Sequence, residues 1–150
     1  VAVRYPKEKC QVSSLSKSEI LIRVGKSEIK REGKKIAILV FGTLLDEAIK
    51  VANKLNASVY NMRFVKPLDV DAIEKISQKH EYLVTIEENV LAGGAGSSVL
   101  EYLSTKKIKR YTLRLGIPDE FIDHGDRNIL LRKCGLDENG IFQSIEKFIR

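Results

Sequence analysis

Cysteine is scarce in this chain of 150 residues: Cys10 and Cys134 are its two copies. Two cysteines cannot make a disulfide scaffold, and free thiols fit a reducing compartment, so a cytoplasmic protein is expected. Histidine is equally sparse, and His80 and His124 stand at no zinc-ligand spacing from the cysteines. No apolar run approaches the roughly 18 residues of a bilayer span, which argues against a membrane protein. The first residues show no charged segment followed by an apolar one, so no signal peptide is expected. Gly-x-Ser-x-Gly is missing, which removes the common activated-serine arrangement. Methionine occurs once, at Met62, and the first residue is Val1. Val1 to Pro6 reads as a strand already under way, which suggests a piece of a larger protein whose upstream domain is missing.

What is present is ordinary for a globular domain: 43% hydrophobic and 31% charged residues, in a length that suits about one domain. The formal charge of +6 raises the question of an anionic partner. Residues 1–35 hold ten Lys and Arg against four Glu, and the other 115 residues hold 16 of each sign. The excess therefore lies wholly in the N-terminal arm, where Tyr5 is the one aromatic. A nucleic-acid binder carries its basic stripe on the folded body, often with interleaved aromatics, so no nucleic-acid partner is expected.

Residues 7–19 are polar and read as a linker, and Ile20 to Lys30 as one or two short edge strands broken at Gly25. Ile36 to Phe41 is continuously apolar, as a parallel strand covered on both faces requires. Thr43-Leu-Leu-Asp46 has the spacing of a capping box, ahead of a helix with Leu45, Ala48, Ile49, Ala52 and Leu55 on one face. Val59 to Val65 reads as the next strand, Pro67-Leu-Asp69 as a stop and cap, and Ala72, Ile73 and Ile76 as the inner face of a helix. Tyr82 to Ile86 and Tyr111 to Leu115 are further strands, the latter broken by Gly116 and Pro118. Between them runs a helix with Val99, Leu100 and Leu103 inward. Helices around Ile129–Lys133 and along Ile141, Phe142, Ile145, Phe148 and Ile149 close the chain. This alternation predicts a three-layer αβα fold on a mostly parallel sheet of about five strands.

Four groups of residues could carry chemistry. Gly93-Gly-Ala-Gly-Ser-Ser98 stands between a strand and a helix, where backbone N–H groups can hold a phosphate. It lacks the third glycine of a dinucleotide fingerprint and the Lys of a P-loop, and small residues also let a helix approach a sheet closely. Glu87-Glu88-Asn89 ends a strand, but adjacent residues face opposite ways, which favours helix capping or an ion pair over a shared acid–base site. Asp123-His124-Gly-Asp126 places a His between carboxylates without an evident nucleophile, and a turn or subunit contact is expected. His80 follows a helix, where a cation suits the dipole. In Arg4-Tyr-Pro-Lys7 two cations flank a bend and suit a phosphate or carboxylate.

Eight strings then occur in order: Arg4-Tyr-Pro6, Phe41-Gly-Thr43, Arg63 to Asp69, Val84 to Val90, Gly93-Gly-Ala-Gly-Ser97, Leu115 to Asp119, His124-Gly125 and Cys134-Gly-Leu-Asp137. Together they resemble the C-terminal part of the 1-deoxy-D-xylulose-5-phosphate synthase family, over nearly the whole chain and weakest at residues 8–24. Transketolases and the β subunits of 2-oxoacid dehydrogenases share the architecture and match these strings less well. The resemblance implies that residues 1–19 are the tail of a pyrimidine-binding domain with its linker, and residues 20–150 a transketolase C-terminal domain. It implies a homodimeric, cytoplasmic parent enzyme that condenses pyruvate with D-glyceraldehyde 3-phosphate, releasing CO2, for isoprenoid, thiamine and pyridoxal biosynthesis. Thiamine diphosphate and Mg²⁺ would be held by the upstream domains, leaving no cofactor and no catalytic residue in this stretch, which alone would be inactive. The family's usual Arg-Tyr-Pro-Arg-Gly reads here with Lys7 and Glu8, so Lys7, with Arg4, is the implied contact for the acceptor's phosphate, without the arginine fork. A free-standing phosphate- or nucleotide-binding module and a regulatory interaction domain are the alternatives.

Overall fold

The computed structural model describes residues 21–150. Its sheet has five strands among these residues: β1 (Glu28–Arg31), β2 (Ile36–Phe41), β3 (Ser58–Asn61), β4 (Tyr82–Val90) and β5 (Tyr111–Ile117), in the order β1-β3-β2-β4-β5. Every pairing is parallel except β1 with β3. Five helices accompany it among the described residues: α1 (Leu45–Leu55), α2 (Val70–Lys79), α3 (Ala95–Thr105), α4 (Arg127–Lys133) and α5 (Glu138–Ile149). This is the three-layer αβα architecture expected from the alternation of patterns.

The central strand explains why both faces are covered. All six residues of β2 are buried. Ile36, Ile38 and Val40 pack on one side with Ala48, Val51, Leu131, Ile141 and Ile145 from α1, α4 and α5. Ala37, Leu39 and Phe41 pack on the other with Ile73, Ile76, Val99 and Leu103 from α2 and α3. Each large side chain buried this way is worth about 1.5–3 kcal/mol, so a strand that alternated polar residues could not hold the middle position.

Several boundaries differ from the sequence expectation. The strand predicted over Val59 to Val65 ends at Asn61, because Arg63 turns the backbone into the left-handed region at φ 57°. Among the described residues edge pairing is confined to Glu28–Arg31, and Lys26 and Ser27 are instead bonded to Asp69 ahead of α2. The carboxylate of Asp69, 5% exposed, caps α2 by accepting from the Ala72 amide at 3.2 Å. It also accepts from the Ser27 amide at 2.7 Å and hydroxyl at 2.9 Å. Burial pushes this carboxyl up, but the bonds from Ser27 and Ala72 and the Lys26 charge outweigh it and hold Asp69 below its ordinary value.

The capping box at Thr43 does not form. Leu44 is the N-cap of α1, with no side-chain cap, and the Thr43 hydroxyl instead donates to Glu88. Gly116 does not break β5, which runs on to Ile117. Opposite it β4 bulges: Ile86 pairs Leu115, and the next aligned pair is Val90 with Ile117. A Cβ at Gly116 would stand 2.9 Å from the Asn89 carbonyl oxygen, so glycine is what allows the bulge to close against β5.

Candidate functional site: the carboxyl-edge cleft

In sequence β2 is followed by β3 on one side and then, across it, by β4 on the other. The carboxyl ends of β2 and β4 therefore part where the winding reverses, the place at which open α/β sheets form their crevice. A cleft of about 540 Å³ opens there. Phe41, Gly42 and Thr43 line it from the end of β2, Arg63 and Val65 from the loop after β3, Glu87 to Asn89 from the bulge, and Gly93 to Ala95 from the start of α3.

Two adjacent carboxylates organise this cleft and, as strand geometry requires, face opposite layers. Glu87 is 2% exposed and turns toward α3. Its oxygens accept from the Ala95 amide at 2.7 Å and the Gly96 amide at 2.8 Å. The helix has no acidic residue in its own first turn and no side-chain cap, so the strand supplies the negative charge its N-terminus needs. The glycines give that carboxylate room. A Cβ at Gly94 would stand 2.3 Å from Glu87 Oε2, and one at Gly96 would stand 2.4 Å from Thr85 Oγ1. Of the two readings of Gly93–Ser98, the geometry favours close approach: the Glu87 carboxylate sits on the Ala95 and Gly96 amides, where an anion would stand, and the small residues leave it room.

Glu88 faces the other layer. Its oxygens accept from Arg127 Nε at 3.0 Å and Nη2 at 2.6 Å, a two-pronged pair that joins β4 to α4. Arg127 Nη2 also donates to the Thr43 hydroxyl at 2.9 Å, so the end of β2 is tied in as well. Sequence reasoning missed Arg127. It lies 39 residues from Glu88, with no local pattern to mark it. Arg63, on the far wall, is paired with Glu28 of β1.

Asp126 caps α4 by accepting from the Asn128 amide at 2.9 Å and the Ile129 amide at 3.3 Å, while Asp123 and His124 are exposed in the preceding loop. His80 is buried at the C-cap of α2, with Nδ1 2.9 Å from the Ile76 carbonyl and Nε2 2.8 Å from the Ser58 hydroxyl. Cys134 is a free, partly buried thiol at the end of α4. Among the described residues no group of three His, Cys, Asp or Glu is placed to hold a metal ion. Arg4, Lys7 and Cys10 lie outside the described residues.

Comparison with known proteins agrees with this layout. The family model described as the transketolase C-terminal domain matches residues 25–141. The chain belongs to the transketolase C-terminal domain family. Among relatives of this transketolase C-terminal domain are two 1-deoxy-D-xylulose-5-phosphate synthases. That of Pseudoalteromonas translucida is 45% identical over 149 residues, 99% of this chain and 24% of the relative. That of Pseudomonas fluorescens is 47% identical over 146 residues, 97% of this chain and 23% of the relative. The chain thus spans about a quarter of the length of the curated relatives it matches. A split-gene transketolase solved as an inactive β4 tetramer superposes on the domain with a TM-score of 0.77 and 28% identity, covering 86% of this chain and 43% of that one.

Proposed function

We propose that this chain serves as the C-terminal domain of a 1-deoxy-D-xylulose-5-phosphate synthase, with an architectural role and no catalytic group of its own. The observation that carries the architectural reading is the Glu87 carboxylate on the Ala95 and Gly96 amides. It closes, from within, the position at which an independent phosphate or nucleotide module would hold its ligand. Identity of 45% and 47% across nearly the whole chain supports the choice of synthase over transketolase.

The parent enzyme would join pyruvate to D-glyceraldehyde 3-phosphate with loss of CO2, feeding isoprenoid and thiamine biosynthesis, as a cytoplasmic homodimer. Thiamine diphosphate with Mg²⁺ is the cofactor such an enzyme uses. The described residues do not fit it: they assemble no metal-ligand cluster, and the helix N-terminus in the cleft is already satisfied. On this reading the upstream domains would hold the cofactor, as the family resemblance implies, and Arg4 and Lys7 are the residues of this chain nearest to those domains in sequence. The test is turnover of pyruvate and D-glyceraldehyde 3-phosphate with thiamine diphosphate and Mg²⁺. Full-length protein carrying this stretch is expected to form product and the 150-residue chain none. Product from the chain alone, or none from the full-length protein, overturns the reading.

A further inference from the structure

We infer that the carboxyl edge of the sheet is the docking face for the polypeptide upstream of residue 21 in the same molecule. The inference rests on the proposed function, which makes this stretch one domain of a longer chain. It starts from where apolar side chains stand uncovered. Among the described residues eight large apolar side chains are exposed, and six of them gather at this one edge: Leu21, Ile22, Val24, Val65, Phe121 and Ile129. Leu21 to Val24 lead into Gly25, which lies against Pro67 in the loop after β3. Val65 lines the cleft, Phe121 stands in the loop after β5, and Ile129 sits in the first turn of α4 beside Arg127. Single exposed apolar residues are normal on a protein surface; a cluster around one cleft marks a contact face. Phe121 is the extreme case, with 106% of its reference surface open.

Three observations select the occupant. The described residues enter the fold at this edge, since Lys26 and Ser27 are bonded to Asp69, the N-cap of α2. The curated relatives carry about three quarters of their length outside the matched stretch, which the family model places at the C-terminus. That mass is tethered at short range, so its effective concentration here far exceeds that of a free partner. Charge agrees as well. The loop from Pro118 to Asp126 holds four acidic residues and no Lys or Arg around Phe121, whereas residues 1–20 hold four basic residues against two acidic. The cleft and the apolar side chains around it are thus a socket for an apolar, cation-bordered surface of the upstream chain, with Phe121 as its most exposed contact.

The test is hydroxyl-radical footprinting of the full-length protein beside the 150-residue chain, read by mass spectrometry at Phe121, Val65 and Ile129. Tyr111, 64% exposed at the amino end of β5, serves as the internal reference. Docking requires Phe121 to oxidise several-fold more slowly in the full-length protein while Tyr111 is unchanged. Equal Phe121 reactivity in both overturns the inference. So does protection in the 150-residue chain that grows with concentration, since a second copy would then be the occupant. The readout needs no turnover, so a full-length protein without synthase activity would defeat the proposed function and leave the docking face separately decided. In addition, Phe121→Glu in the full-length protein is expected to speed proteolysis within residues 7–19 several-fold. An unchanged cleavage rate counts against that contact.

Discussion

Replacing Glu87 by Ala is the sharpest perturbation of the cleft, because the substitution removes one carboxylate and orphans two amides at once. The Ala95 and Gly96 amides lose partners at 2.7 and 2.8 Å, in a place where α3 offers no substitute. A buried donor left unsatisfied costs about 1–3 kcal/mol, and losing the charge at the helix terminus adds about 0.3–1 kcal/mol. Water entering from the cleft recovers part of this, so a net destabilisation of roughly 3 kcal/mol is expected. For a domain of this size that lowers Tm by about 6–12 °C. Glu87→Gln keeps one acceptor and turns an NH₂ group toward the other amide, so it should fall between wild type and Glu87→Ala. Denaturant titration with an unchanged m-value, and faster hydrogen exchange at the Ala95 and Gly96 amides, would locate the loss. The freed helix N-terminus should also acquire an anion site, with sulfate raising the Tm of Glu87→Ala more than that of wild type. A loss below about 1 kcal/mol, or Glu87→Gln as stable as wild type, would refute the assignment of Glu87 as the cap of α3.

Three other outcomes follow from the same reasoning. Asp69 is held below its ordinary carboxyl value of 3.8, so its contribution to stability is complete above that pH and is lost as pH falls through the lower folded value. Asp69→Asn should therefore reduce stability at neutral pH and flatten the acid limb of a stability–pH curve; an acid limb as steep as wild type would contradict this. Tyr102 donates to Glu74 at 2.5 Å, and that bond, with burial added, pushes its hydroxyl up to about 12. Ultraviolet titration should show one tyrosine ionising well after the rest, and Glu74→Gln should bring it back toward the ordinary value of 10.0. In the full-length enzyme Lys7→Ala should raise KM for D-glyceraldehyde 3-phosphate far more than KM for pyruvate, and equal changes would remove Lys7 from the acceptor site.

The fold was legible wherever one residue pattern admits one environment. Six consecutive apolar residues between Lys35 and Gly42 suit a strand covered on both faces, and the stripe of α5 suits a helix laid on the core. Boundaries were less so, because they turn on contacts distant in sequence. Thr43 has the spacing of a cap, but its hydroxyl is drawn away by Glu88, 45 residues on. Gly116 reads as a breaker from its neighbours alone; only the bulge across from it shows why a glycine continues the strand. In the cleft, strand alternation already separated Glu87 from Glu88 and pointed to capping or ion pairing. Which helix and which arginine they meet depends on the order of strands in the sheet, and that is decided by packing.

The bulge in β4 has a consequence for parity. From Tyr82 onward the strand assigns odd-numbered residues to the layer of α2 and α3 and even-numbered ones to the layer of α1, α4 and α5. Glu87 and Glu88 are chemically alike, so what distinguishes their jobs is whether an odd or an even count of residues precedes them. Deleting one residue of β4 ahead of them would move Glu88 to the address of Glu87 and drive Glu87 into the buried position of Ile86. Glu88 would meet the α3 amides, and Asn89, uncharged, would face Arg127. The length of this strand is therefore as much a part of the site as the residues that line it.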